Sequence, residues 1–439
     1  MVYRPLRRIH NFRWSITPED PSTLVFRALA SLSQLNSLEL HFCDFPQSLT
    51  SRTSDLLKIT RLRRIVISSL VCKTERVPAA VMDQLLTIIG NNCGLEELLV
   101  ANGRYPELSL TDILANLKNK DRSPKLKLLS SMGEGLRFPQ VTRLDGLRHL
   151  ATLDLSGAKE TCADVWPRLS QAHIHVSGLR APCMTPELEA YVGSYSGLTT
   201  FLIAWQPASV LSPNFYSTIL ASHKDTLDSL DIYSPFQTEL CITPDNVEHL
   251  KQYHRLRILG VTLAGEYVRE DRGGVAVRPL LHSRQKTNIC GFQKAFLLAV
   301  GHIPTLDQLT MYCSGPTRPY GEILVDAFYR ILVEKRVQQV VTDFRIKRPS
   351  PASYAFEILL PSPTSRFIPK LTQGYDGPTL SYSQVETTVD TFSTQHDHFV
   401  NYPTRRATAR PSIAKRVGNW MSRKLRRGVR QVHRLLRVH

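Results

Sequence analysis

The chain has 439 residues, of which 42% are hydrophobic, an ordinary composition for a protein that buries a core. No apolar run approaches the roughly 20 residues needed to cross a bilayer, so a soluble protein is expected. The formal net charge is +17, but 12 Lys and Arg and no acidic residue fall within residues 405–439. The basic surplus therefore belongs mainly to the C-terminal segment, and nucleic-acid binding is not predicted for the whole chain.

The eight cysteines lie far apart and include no CxxC pair, which argues against a zinc module. The sequence also has no Asn-x-Ser/Thr glycosylation site and no secretory signal. These features favour a reducing compartment, so the cytoplasm or nucleus is predicted.

A pattern of the form LxxLxxLxL recurs along the chain and predicts a repeat protein. Its clearest copies run from Leu32 to Cys43, from Ile59 to Leu70 and from Leu147 to Ala158. The central apolar positions of all copies, in chain order, are Phe12, Leu38, Ile65, Leu98, Leu129, Leu153, Ile174, Phe201, Leu230, Leu259, Leu309 and Phe344. Most are separated by roughly the 20 to 29 residues typical of leucine-rich repeats.

Within each copy, the alternation LxL predicts a short strand whose apolar residues point inward. Helices are predicted between strands, from Pro78 to Asn92 and after Thr185-Pro186, Ser212-Pro213 and Thr243-Pro244, where an N-cap residue precedes proline. Residues 265–288 are polar and contain glycine, which is typical of an inserted loop. The predicted fold class over residues 1–348 is α/β, a leucine-rich-repeat solenoid with a curved parallel sheet inside and helices outside.

The remaining residues change in character. Residues 349–404 are rich in Pro, Ser and Thr, and we predict a linker or apron in which Phe356 to Leu360 is a candidate strand. Residues 405–439 carry apolar and basic residues at helical spacing and are predicted to form a basic amphipathic helix. Such a tail suits an anionic membrane, RNA, an import receptor or the solenoid itself, and its candidate contacts are Lys415, Arg416, Trp420, Arg423, Lys424, Arg426, Arg427, Arg430 and Arg434.

The side chains that alternate with the inward leucines should line the concave face, where polar and aromatic groups can anchor a protein partner. The candidates are Glu39, His41, Asp154, His173, His175, Asp231, Tyr233, Tyr312 and Arg345. His173 and His175 are expected to share one face of a strand, but a third ligand is missing nearby and no metal site is predicted. The sequence has no nucleotide-binding or nucleophile motif, so no catalytic residue and no cofactor are predicted.

The irregular repeats, their helices and the run Cys93-Gly94-Leu95-Glu96-Glu97-Leu98 resemble the ribonuclease-inhibitor-like repeats of F-box proteins, especially divergent fungal ones. The resemblance covers roughly residues 6–348. In that family an N-terminal F-box binds a Skp-type adaptor of a cullin-RING ubiquitin ligase, while the repeats hold the substrate. No F-box-like segment precedes the first repeat here, so a Skp-type adaptor is expected only if an F-box lies upstream. The resemblance implies the fold and a ligand-holding role.

The sequence therefore predicts a non-enzymatic protein-binding scaffold that uses the concave face of a leucine-rich-repeat array, with a basic tail for anionic surfaces. One alternative is a substrate receptor of a cullin-RING ubiquitin ligase whose F-box lies outside this chain. Another is RNA binding through the tail. The sequence does not predict the protein partner or the oligomeric state.

Overall fold

The computed structural model describes residues 9–16, 22–42, 58–69, 79–102, 108–109, 125–133, 136–137, 144–157, 162–203, 215–234, 240–263, 289–314, 335, 337–347, 356–361 and 364–385. The chain divides into two compact units, Met1–Glu386 and Thr387–His439. The second unit, which contains the predicted basic tail, lies outside the described residues, as does the predicted inserted loop at 265–288.

The described residues form an α/β fold on one open, mostly parallel sheet of 15 strands, an architecture compatible with a solenoid. The strands are β1 (Asn11–Ile16), β2 (Ser37–Phe42), β3 (Arg64–Ser69), β4 (Glu97–Asn102), β5 (Leu108–Ser109), β6 (Leu128–Gly133), β7 (Leu136–Arg137), β8 (Thr152–Asp154), β9 (Gly178–Ala181), β10 (Thr200–Ile203), β11 (Ser229–Ile232), β12 (Ile258–Leu263), β13 (Gln308–Cys313), β14 (Arg345–Lys347), β15 (Glu357–Pro361), β16 (Thr364–Gly374) and β17 (Gly377–Val385). Their order in the large sheet is β1-β2-β3-β4-β6-β8-β9-β10-β11-β12-β13-β15-β16-β17-β14, and β5 pairs with β7 separately.

Helices connect many of these strands. They are α1 (Ser22–Ala30), α2 (Ala79–Asn91), α3 (Val165–Gln171), α4 (Pro186–Gly193), α5 (Pro244–Leu250) and α6 (Ile289–Val300), with 3₁₀ turns at Asp145–Leu147 and Leu220–His223 and a π turn at Phe215–Ile219. Residues 337–343 are also helical. None of the described helices is both long and apolar enough to span a bilayer.

Two of the helix starts predicted from threonine-proline pairs have the expected caps. The hydroxyl of Thr185 accepts a hydrogen bond from the backbone N–H of Leu188 at 3.2 Å, and the backbone N–H of Thr243 donates to Oδ1 of Asn246 at 2.8 Å. These bonds satisfy polar groups that the first turn of a helix leaves unpaired. Pro186 and Pro244 each occupy the start of the helix, where the missing N–H is not needed.

One apolar residue from each of the parallel strands lies at the same register and forms a continuous ladder through the core. The ladder is Phe12, Leu38, Ile65, Leu98, Leu129, Leu153, Leu179, Phe201, Leu230, Leu259, Leu309 and Ile358. Every member except Phe12 is at most 1% exposed. The prediction that Leu38, Ile65, Leu98, Leu153 and Leu230 hold equivalent interior positions is confirmed.

Two predicted ladder positions, Ile174 and Phe344, are wrong. Both side chains are buried, but Ile174 precedes β9, where Leu179 is the ladder residue. Phe344 precedes β14, which pairs antiparallel with β17 at the end of the sheet. The position beside β13 belongs instead to β15, with Ile358 opposite Leu309.

Within the segment predicted to be a linker or apron, residues 357–361, 364–374 and 377–385 form three strands of the sheet. The candidate strand from Phe356 to Leu360 is confirmed by β15, whereas the antiparallel hairpin of β16 and β17 was not predicted. The prolines that indicated a linker are compatible with strands at unpaired edges. Pro369, for example, lies beyond the part of β16 that pairs with β15.

Candidate functional site

The ladder side of the parallel sheet packs against the helices. Phe26 of α1, Trp166 of α3, Leu188 of α4 and Phe296 of α6 all join the ladder residues in one hydrophobic core. Because successive side chains of a strand point to opposite faces, the residues beside each ladder position face away from the helices. We call this side the open face, and its central row is Arg13, Glu39, Val66, Leu99, Ser130, Asp154, Arg180, Leu202, Asp231, Gly260, Thr310 and Leu359.

Six of the predicted partner-binding residues lie on the open face. Glu39, Asp154 and Asp231 belong to its central row, and His41 and Tyr312 lie two residues further along β2 and β13. Tyr233 follows β11 and continues its alternation. The sequence pattern therefore located this face correctly on four different repeats.

His173 and His175 do not lie on a strand, contrary to the prediction. His173 occupies a turn with φ of 52°, and the exposed ring of His175 stacks on Tyr195, with the ring centroids 4.7 Å apart. The hydroxyl of Tyr195 donates to the carbonyl of Val176 at 3.0 Å, and that of Tyr191 donates to the carbonyl of Ile174 at 2.8 Å. Side chains thus satisfy this backbone, and the strand begins only at Gly178.

Arg345 also lies away from the other candidates. It begins β14 at the antiparallel end of the sheet, opposite Ser381. Its guanidinium donates to the carbonyls of Thr342 and Phe344, closing the end of helical residues 337–343. This arrangement is a helix cap, in which a cation satisfies the last carbonyls.

Glu39 and His41 lie in a network of opposite charges over β1 to β4. The carboxylate of Glu39 is 3.3 Å from the guanidinium of Arg64 and 3.9 Å from that of Arg13. Arg64 also lies 3.4 Å from Glu97, and Nδ1 of His41 hydrogen-bonds the hydroxyl of Ser68. The charges alternate and compensate one another, so this part of the face presents little net charge to a partner.

A second group on the open face, the Asp231 cluster, consists of Asp154, Arg180, Asp231, Tyr233, Gly260 and Tyr312. Sequence reasoning missed Arg180, although Leu179-Arg180-Ala181 has the expected alternation. Within this cluster, Asp154 is only 4% exposed. Oδ1 of Asp154 accepts from the backbone N–H and hydroxyl of Ser156 at 3.0 and 2.7 Å, and Oδ2 lies 3.7 Å from Arg180.

Asp231 is the less satisfied acid of this cluster. It is 9% exposed, and its Oδ2 accepts a hydrogen bond from the Tyr312 hydroxyl at 3.3 Å. Its Oδ1 is buried and has no hydrogen-bond partner among the described residues. The carboxyl lies across the neighbouring strand at Gly260, where an added Cβ would come within 2.6 Å of Asp231 Cγ and closer still to Oδ1. Any side chain at position 260 would therefore force this carboxyl to shift.

Burial dominates the electrostatics of Asp231. It raises the pKa of this carboxyl from 3.8 to about 7, while the hydrogen bond from Tyr312 and the charge of Arg180 act to lower the pKa. Burial and the adjacent Asp231 also raise the pKa of Tyr312 well above its usual value, so its hydroxyl remains a donor. The ring of Tyr233 packs edge-on against that of Tyr312, with centroids 5.1 Å apart.

An incompletely satisfied carboxylate beside two aromatic rings attracts a positive group. Over the residues that the structure describes, no group of three His, Cys, Asp or Glu side chains is placed to hold a metal ion. No family model matches this chain, and no curated protein matches it.

Proposed function

We propose that this chain is a leucine-rich-repeat protein that acts as a non-enzymatic scaffold and binds a protein partner on the open face of its sheet. The observation that carries the proposal is the Asp231 cluster. It gathers side chains from β8, β9, β11 and β13 onto one surface, over the backbone of Gly260 in β12.

The composition of this cluster supports a protein partner. Tyrosine and arginine are the residues that most often dominate the energy of protein interfaces, and Tyr233, Tyr312 and Arg180 combine them on one face. The strands beneath them are anchored by the fully buried ladder, so little conformational entropy would be lost when this surface is covered.

The basic tail adds a second part to the proposal. Its 12 Lys and Arg would attach the complex to an anionic surface in the cytoplasm or nucleus, either a membrane or RNA. These residues lie outside the described part of the chain, so this role rests on the sequence. The role of ubiquitin-ligase substrate receptor rests on the resemblance to F-box proteins and would require a Skp-type adaptor.

Site-specific crosslinking tests the main proposal. A photoreactive phenylalanine analogue replaces Thr200, whose side chain is on the open face, or Lys294, which is exposed on α6. We expect the Thr200 position to capture a defined protein in cells and the Lys294 position to capture none. Equal capture from both positions would contradict binding on the open face.

A further inference from the structure

The Asp231 carboxyl lacks a hydrogen-bond donor for one of its two oxygens among the described residues. A buried polar atom without a hydrogen bond is costly, and native proteins keep few of them. Oδ1 of Asp231 is such an atom, in a side chain that is more than nine-tenths buried. Gly260 provides the space for the carboxyl, which is consistent with a positioned group.

Charge balance indicates what is missing. The cluster has two carboxyl groups, Asp154 and Asp231, but one guanidinium, that of Arg180. Arg180 forms its ion pair with Asp154 at 3.7 Å, and Leu202 lies between Arg180 and Asp231 in the central row. Above about pH 7, where Asp231 is ionised, one additional cation would neutralise this cluster.

Tyr233 and Tyr312 indicate which kind of cation this site would bind. The faces of aromatic rings attract ammonium and guanidinium groups, and Tyr233 and Tyr312 place two rings beside the carboxyl. Oδ2 already accepts from Tyr312, which leaves Oδ1 for one further donor. A guanidinium binds best when it bridges both oxygens of a carboxylate, whereas an ammonium needs only one.

We propose that Asp231, Tyr233 and Tyr312 form a site for the ammonium group of a lysine side chain contributed by a bound partner protein. This inference rests on the proposed protein-binding function and names the chemistry of one contact within it. Oδ1 is covered in the unbound chain, so the lysine enters as the partly exposed ring of Tyr233 turns aside, while Tyr312 keeps its hydrogen bond to Oδ2. Rotation of partly exposed side chains is fast on the timescale of binding.

A small peptide tests the site without the partner. The probe is acetyl-Gly-Ala-Lys-Ala-Gly-amide, and matched peptides carry arginine or acetyl-lysine at the central position. Saturation-transfer-difference NMR with the full chain measures contact at the lysine ε-methylene protons. We expect a signal with the lysine peptide, a smaller one with arginine and none with acetyl-lysine. Asp231→Asn should weaken binding by about tenfold or more, as expected for the loss of a hydrogen bond to a charged group.

Matched variants locate the effect. Glu97→Gln changes a carboxylate elsewhere on the open face, which is paired with Arg64 at 3.4 Å, and should leave lysine binding unchanged. Tyr233→Leu removes one of the two rings and should weaken lysine binding. Equal binding by the wild-type chain and Asp231→Asn, or preference for the arginine peptide, would overturn the proposal.

Two further results show whether the lysine comes from a partner or from this chain, and distinguish failure of the lysine site from failure of the scaffold function. A chain ending at Thr404 should bind the peptide as the full chain does, whereas tighter binding would mean that the chain's own tail occupies the site and would overturn a partner as the source. If the lysine peptide binds but Thr200 captures no protein, the scaffold function fails while the ammonium site remains. If Thr200 captures a protein and the lysine peptide does not bind, the ammonium site fails while the scaffold function remains.

Discussion

Replacing Asp231 by asparagine should change how the stability of the protein depends on pH. The folded chain holds a proton on this carboxyl up to about pH 7, whereas the unfolded chain releases it near pH 3.8. Between these values the folded state binds more protons, so a rise in pH favours unfolding. The contribution of Asp231 to stability is therefore largest below about pH 4 and is lost as the pH rises to about 7. Asparagine has nearly the same shape and does not titrate.

The size of the effect follows from the difference between the two pKa values. Each pKa unit corresponds to about 1.36 kcal/mol, and the window from pH 5 to pH 7 spans two units. The wild-type chain should therefore lose about 3 kcal/mol more than Asp231→Asn when the pH is raised from 5 to 8. Among the described residues, the charged or titratable groups that act on Asp231 are Tyr312 and Arg180, and both are unchanged in this variant.

Urea denaturation followed by circular dichroism at pH 5 and pH 8 measures the two free energies of unfolding for each protein. Taking the difference between proteins removes the contributions of all other titrating groups. Tyr312→Phe provides a second check, because removing its hydrogen bond should raise the pKa of Asp231 further and extend the loss of stability above pH 7. A wild-type minus variant difference that is the same at pH 5 and pH 8 would refute the burial of this carboxyl.

Three other changes test the packing. Leu153→Ala should lower the free energy of unfolding, measured with denaturant, by about 2 to 5 kcal/mol because it empties a ladder position. Leu202→Ala on the open face should lower it by less. Equal losses of stability would contradict the assignment of the two faces. Burial lowers the pKa of His223, so this side chain binds a proton more readily in the unfolded chain than in the folded one. The protein should therefore lose stability as the pH falls below about 6.5, and His223→Gln should abolish this loss. Gly260→Ala should destabilise the fold by pressing on the Asp231 carboxyl, and in a double-mutant cycle with Asp231→Ala the combined cost should be smaller than the sum. Additive costs would show that the two residues do not interact.

The strand positions predicted correctly depend on local patterns. Leu38 and Leu153 each lie in a short run where apolar and polar residues alternate, and that alternation is enough to assign inward and outward faces. Ile65 and Leu98 are followed by the apolar residues Val66 and Leu99, so their inward positions were assigned from the longer spacing of the repeat pattern. The helix caps at Thr185 and Thr243 are local in the same way, since each bond joins residues three positions apart.

The incorrect positions depended on competition between distant segments. Ile174 has a suitable neighbourhood for a strand, but the hydroxyls of Tyr191 and Tyr195 bind the backbone there, and Leu179 becomes the ladder residue. Phe344 likewise precedes a strand, yet the place beside β13 is filled by β15. An apolar pattern does not determine which of two suitable segments pairs with the exposed edge of a neighbouring strand.

For the candidate site, the alternating pattern by itself determined that Asp231, Tyr233 and Tyr312 face away from the helical side. Only the tertiary structure decided that the hydroxyl of Tyr312, 81 residues later in the chain, meets the Asp231 carboxyl, and that this carboxyl lies over Gly260. The physical reason is that alternation within a strand fixes the direction of a side chain, whereas its burial and its pKa depend on neighbours supplied by other strands.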